Sequence, residues 1–77
     1  MTLGQKLRFY RKRAGYTQEQ ICLKFGFPRA TYIYYETDRT LPSVHTVLAF
    51  ARMYGVPMEV LVDDELMPAD GGEFLKK

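Results

Sequence analysis

The side chains with the most chemistry to offer are cations, and they are unevenly placed. Residues 1–40 hold eight of the eleven Lys/Arg (Lys6, Arg8, Arg11, Lys12, Arg13, Lys24, Arg29, Arg39) against Glu19, Glu36 and Asp38, a net charge of +5. Residues 41–77 hold Arg52, Lys76 and Lys77 against six carboxylates, a net charge of −3. A basic half suits a polyanion and an acidic half stays clear of it, although a basic run can equally be a solvated helix face. The Tyr32, Tyr34 and Tyr35 cluster could stack the bases of a single strand, but its spacing favours Tyr32 and Tyr35 in a core with Tyr34 outside. Cys22 is the only cysteine and reads as a buried spacer rather than a redox sensor. His45 has no second metal ligand at a useful spacing. Glycine-rich phosphate loops, Cys/His pairs and nucleophiles with an orienting base are all missing. The chain is therefore expected to be no enzyme, with no cofactor, no metal and no small-molecule ligand.

These groups must be positioned by short helices. Thr2 with Gln5 has capping-box spacing, and Leu3, Leu7, Tyr10 and Ala14 line one face, with Lys6, Arg8, Lys12 and Arg13 elsewhere, until Gly15 ends the helix. Thr17 with Gln20 repeats the box for a second helix of about two turns, carrying Ile21, Cys22 and Phe25 and stopping at Gly26. Pro28 suits the opening of a third helix to Glu36, with Phe27 before it as a core anchor. The β-branched and aromatic run Thr31–Tyr35 would also suit a strand; the i, i+3 pair Tyr32 and Tyr35 favours a helix. Ser43 caps a fourth helix with an apolar stripe of Val44, Val47, Leu48, Phe50, Ala51 and Tyr54, ended by Gly55. Pro57 opens a fifth to about Val62, with Phe9 and Val60 falling on outer faces.

The expected organisation is one all-α domain over residues 1–63 and a C-terminal tail over 64–77, in which only Phe74 and Leu75 have much to bury. With one cysteine, no run of 18 apolar residues and no basic-then-apolar leader, the chain is expected to be cytoplasmic and reduced, away from membranes.

The second and third helices carry the strongest signal. Cys22, a small residue four before Gly26, lets one helix pack closely while the glycine turns the chain; Phe27, Tyr32 and Tyr35 then clamp the next helix at a steep angle. A helix that protrudes in this way fits a DNA major groove about 12 Å wide.

In the order LGQKLRFYRKRAGYTQEQI, KFGFPRATY, YYE and LPSVHTVLAFARMYGVPMEVL, about residues 3–62, the chain resembles the Cro/repressor, or XRE-type, helix-turn-helix family. The resemblance implies a five-helix bundle that binds double-stranded DNA through its third helix and regulates transcription, as a repressor in the first instance. It implies base contacts from Arg29, Ala30, Ile33 and Tyr34, and backbone contacts from Thr31 and Arg39. Gln18 matches a position that grips a phosphate or braces the third helix, and Arg11 with Glu36 matches a structural salt bridge. Ile33 and Tyr34 stand where small polar or basic residues are more usual, and Pro28 replaces a common polar residue and removes one N–H. Arg29 could fork onto guanine, Ile33 could touch a thymine methyl, and Tyr34 could reach a phosphate or sugar.

Because one short helix reads few base pairs, a homodimer spanning half-sites about 34 Å apart is expected, through Met58 and Val60 or through Phe74 and Leu75. The alternative is a protein-interaction module on the same fold, an antitoxin or an adaptor domain of a larger regulator, using Ile33 and Tyr34 against a protein.

Overall fold

The computed structural model describes residues 1–68 and, as backbone, 74–76. Among them are five helices, α1 (Leu3–Arg13), α2 (Gln18–Phe25), α3 (Arg29–Glu36), α4 (Val44–Tyr54) and α5 (Met58–Val62), followed by short strands β1 (Leu66–Pro68) and β2 (Phe74–Lys76). The all-α, five-helix expectation holds, with a small antiparallel ribbon added in which Leu66 faces Lys76 and Pro68 faces Phe74.

Local chemistry accounts for the helix starts. Thr2 Oγ1 accepts from Gln5 N at 3.2 Å while Thr2 N donates to Gln5 Oε1 at 2.8 Å, and Thr17 with Gln20 does the same at 3.1 and 2.8 Å. Ser43 Oγ accepts from Thr46 N at the start of α4. At the turn between α2 and α3, Gly26 takes φ 76°, a left-handed conformation that a side chain would strain.

The core draws on every helix. Leu7 and Tyr10 of α1, Ile21 and Cys22 of α2, Tyr32 of α3, Val47, Phe50 and Ala51 of α4, and Val60 and Leu61 of α5 are buried together with Leu66 of β1. Phe50 is the hub: its ring stacks on Phe25 at 4.4 Å and lies 6.0 Å from Tyr32 and 6.3 Å from Phe27 and Tyr54. Burial of Tyr32 against this aromatic cluster keeps a strand-prone segment helical, since tertiary packing outweighs a local propensity worth less than about 1 kcal/mol per residue.

Five placements depart from the sequence-based expectation. Val60 is fully buried, not on an outer face or free for a partner, because the single turn and a half of α5 is roofed by β1. Val44, expected in the stripe, is 66% exposed, and Phe9 is partly buried edge-on against Tyr10. Lys6 has no exposed surface; its stem is packed between α1 and α5 and its ammonium donates to the Asp63 carbonyl at 2.5 Å. Leu66, within the segment read as a tail, fills the core. The side chains of Phe74 and Leu75, expected to dock on the domain or a partner, lie outside the described residues.

Candidate nucleic-acid interface

Two hydrogen-bonded anchors lie at the end of α3, one in its last turn and one in the loop that follows. The first is Glu36 at its last turn. Arg11 Nε donates to Glu36 Oε2 at 2.6 Å and Nη2 to Oε1 at 3.3 Å, while Nη1 reaches the Tyr16 carbonyl at 2.9 Å, so one guanidinium ties α1, the α1–α2 loop and α3 together. Gln18 Nε2 donates to Glu36 Oε1 at 3.2 Å and adds the start of α2. The pair is nearly water-free, with side-chain exposures of 9% and 3%. Burial pushes the Glu36 carboxyl up, but the Arg11 hydrogen bond, with smaller contributions from the neighbouring Tyr32 hydroxyl and from Gln18, outweighs it and holds the group below its ordinary value. The Glu36 hydrogen bond likewise raises the Arg11 guanidinium above its ordinary range.

The second anchor is one the sequence reading missed. Asp38 has φ 61°, an uncommon conformation that Asp tolerates better than most residues. It is held there from α1: Thr2 Oγ1 donates to Asp38 Oδ2 at 2.6 Å and Gly4 N to Oδ1 at 2.9 Å. Gly4 permits this approach. A Cβ on it would lie 2.6 Å from the carbonyl oxygens of both Tyr35 and Glu36. The available signal was a short polar residue directly after the third helix, beside an N-terminal glycine that no turn explains.

Ahead of these anchors α3 turns an open face outward. Arg29 and Ala30 are exposed at its N-terminus, Thr31 and Ile33 are half-buried, and Tyr34 is 38% exposed. Positions 29, 30, 33 and 34 share one side of a helix, so the structure brings the four expected base contacts together. Arg39 joins them from the following loop, with its guanidinium 4.6 Å from the centroid of the Tyr34 ring. Gln18 does not point outward with them; its amide braces Glu36. No side chain caps the first turn of α3, where Pro28 stands at the cap and its carbonyl accepts from Thr31 N at 3.1 Å. His45 is exposed, Cys22 is buried, and no cluster of His, Cys, Asp and Glu among the described residues could hold a metal ion. None of the described helices is long and apolar enough to cross a membrane.

Residues 2–64, which take in all five helices and the open face of α3, match the family model described as a helix-turn-helix domain. The chain belongs to the helix-turn-helix domain family. Its curated relatives include the HTH-type transcriptional regulator ImmR of Bacillus subtilis, 31% identical over 78 residues covering all of this chain and 61% of the relative. The cryptic phage CTXphi transcriptional repressor RstR of Vibrio cholerae is 36% identical over 61 residues, covering 79% of this chain and 55% of the relative. The immunity repressor protein of Bacillus phage phi105 is 33% identical over 67 residues, covering 87% and 46%. This helix-turn-helix chain thus spans about half to three fifths of the length of these three relatives.

Proposed function

We propose that this helix-turn-helix domain binds double-stranded DNA sequence-specifically in the cytoplasm, seats α3 in the major groove and represses transcription as a homodimer. The observation that carries the reading is the open α3 face of Arg29, Ala30, Ile33 and Tyr34, set rigidly by the Arg11–Glu36 clamp and flanked by the Arg39 cation. Arg29 offers a fork to guanine O6 and N7, Ile33 an apolar contact to a thymine methyl, and Thr31 a hydroxyl to the backbone. Repressor and regulator names among the relatives support the regulatory reading.

The homodimer is supported by a largely apolar groove in which Leu3, Leu41, Val44, Met58 and Val62 line the wall beside Asp38 and Asp64. Leu41 is 77% exposed, Val44 66% and Val62 50%. A second copy is the fitting occupant because an apolar face is self-complementary about a two-fold axis. This face replaces Val60 as the candidate, with Met58 retained.

The deciding experiment is selection from a randomised duplex pool, followed by anisotropy titrations of the enriched duplex at two salt concentrations. An enriched palindrome, affinity falling with a slope of about −0.9 per phosphate neutralised, and a loss of about 1–3 kcal/mol for Arg29→Ala are expected. No enrichment, or binding indifferent to salt, refutes sequence reading. Sedimentation equilibrium with and without the duplex tests the dimer: Val44→Asp should be monomeric where the wild type is not, and a wild type monomeric at tens of micromolar on and off DNA refutes it.

A further inference from the structure

Resting on the DNA-binding reading above, we propose that Tyr34 and Arg39 act as one phosphate-gripping unit at the edge of the groove, and that Asp38 is the positioning residue that assembles it.

Three observations meet at this point. The Arg39 guanidinium sits 4.6 Å over the Tyr34 ring, on a surface where both residues are exposed. The backbone fixes the encounter, because Arg39 N donates to the Tyr34 carbonyl at 2.9 Å, Thr40 N to the same carbonyl at 3.4 Å and Asp38 N to the Tyr35 carbonyl at 3.3 Å. The chain can fold back on the last turn of α3 only because Asp38 takes positive φ, and its two carboxylate oxygens are held by Thr2 and Gly4. A link therefore runs from the N-terminal cap of α1, through Asp38, to the direction in which Arg39 points.

The chemistry follows from that geometry. A free arginine side chain loses about 2 kcal/mol of rotamer entropy when fixed, which is why preorganised arginines bind better than flexible ones. A guanidinium held by its face on an aromatic ring keeps its in-plane N–H donors for a bidentate phosphate contact. Base edges are reached from the N-terminal part of a recognition helix, whereas Arg39 follows the C-terminal end of α3; the ligand is therefore a backbone phosphate, and the contact is blind to sequence. Tyr34 serves as the platform for Arg39 instead of reading a base. The Asp38 charge disfavours a nearby phosphate, but both carboxylate oxygens are turned onto Thr2 and Gly4 of the α1 start, so its positioning effect outweighs the repulsion.

The test is a mutant cycle on the full chain, with anisotropy against the enriched duplex and a scrambled duplex of equal length. Arg39→Ala should weaken binding to both about tenfold and reduce the salt slope by about 0.9. Tyr34→Leu should weaken both about 3- to 10-fold, at most as much as losing Arg39 itself, because the ring acts only through that guanidinium. On the Arg39→Ala background Tyr34→Leu should cost less than about twofold, because the platform has nothing left to hold. Asp38→Ala should lose affinity although it removes a negative charge, and should lose none on the Arg39→Ala background. In the free protein, Tyr34→Leu and Asp38→Ala should both abolish the ring-current shift of the Arg39 side-chain protons. Independent, multiplicative losses for Tyr34 and Arg39 overturn the unit. An Asp38→Ala loss that persists without Arg39, or an Arg39 ring-current shift that survives Asp38→Ala, overturns the positioning role. A wild type that binds neither duplex refutes DNA binding itself, whereas a wild type that binds while the cycle is multiplicative refutes this inference alone.

Discussion

Replacing Glu36 by Ala removes the acceptor of three hydrogen bonds, two from Arg11 and one from Gln18, and leaves the Arg11 guanidinium 8% exposed with only the Tyr16 carbonyl as partner. Breaking a buried ion pair from one side costs about 3–5 kcal/mol, because the remaining charge keeps its desolvation penalty and loses its compensation. A domain of this size has about 5–15 kcal/mol in total and loses about 4–8 °C per kcal/mol, so melting should fall by about 12–40 °C. Thermal and urea unfolding followed by far-UV circular dichroism would measure it, on Glu36→Ala, Arg11→Met and the Arg11→Met/Glu36→Leu double variant. The double variant should recover most of the loss, since an apolar pair of similar volume strands no charge. The pH dependence has a definite sign: the folded carboxyl titrates below its unfolded value, so its contribution is fully present above the unfolded value and fades as pH falls through the folded one. Glu36→Gln should therefore flatten the acid limb of the stability profile. A loss under about 1 kcal/mol for Glu36→Ala, or a double variant worse than the sum of the singles, would refute the reasoning.

Gly4→Ala should lose about 1–3 kcal/mol in urea unfolding even though Ala favours helix, because its Cβ would meet two backbone carbonyls at 2.6 Å; an unchanged midpoint would mean that α1 can slide on α3. Leu66→Ala should cost about 2–5 kcal/mol, as expected of a core leucine only 4% exposed, and a loss below about 0.5 kcal/mol would show that the domain closes at α5. Tyr54→Phe removes a buried hydroxyl without a hydrogen-bond partner among the described residues, so its melting temperature should match or exceed that of the wild type; a fall beyond about 1 kcal/mol would reveal a partner for that hydroxyl.

The sequence by itself determined what depends on neighbours along the chain. Capping boxes at Thr2 and Thr17, left-handed glycines at Gly26 and Gly55, and the 3.6-residue apolar period fix α1, α2 and α4 through interactions within a few residues, so they could be read from spacing alone. The four positions of the α3 face came instead from the resemblance to the Cro/repressor helix-turn-helix family. Tertiary structure alone decided what depends on contacts between distant segments. The Asp38 carboxylate meets Thr2 across 36 positions of sequence, Lys6 meets Asp63 across 57, and neither local propensity nor periodicity carries information over such separations. Val60 and Leu66 belong to elements too short to display a period, so their burial is set by what covers them. Tyr34 and Arg39 were each visible as single candidates, but their contact depends on a positive φ at Asp38 that exists only because α1 holds it.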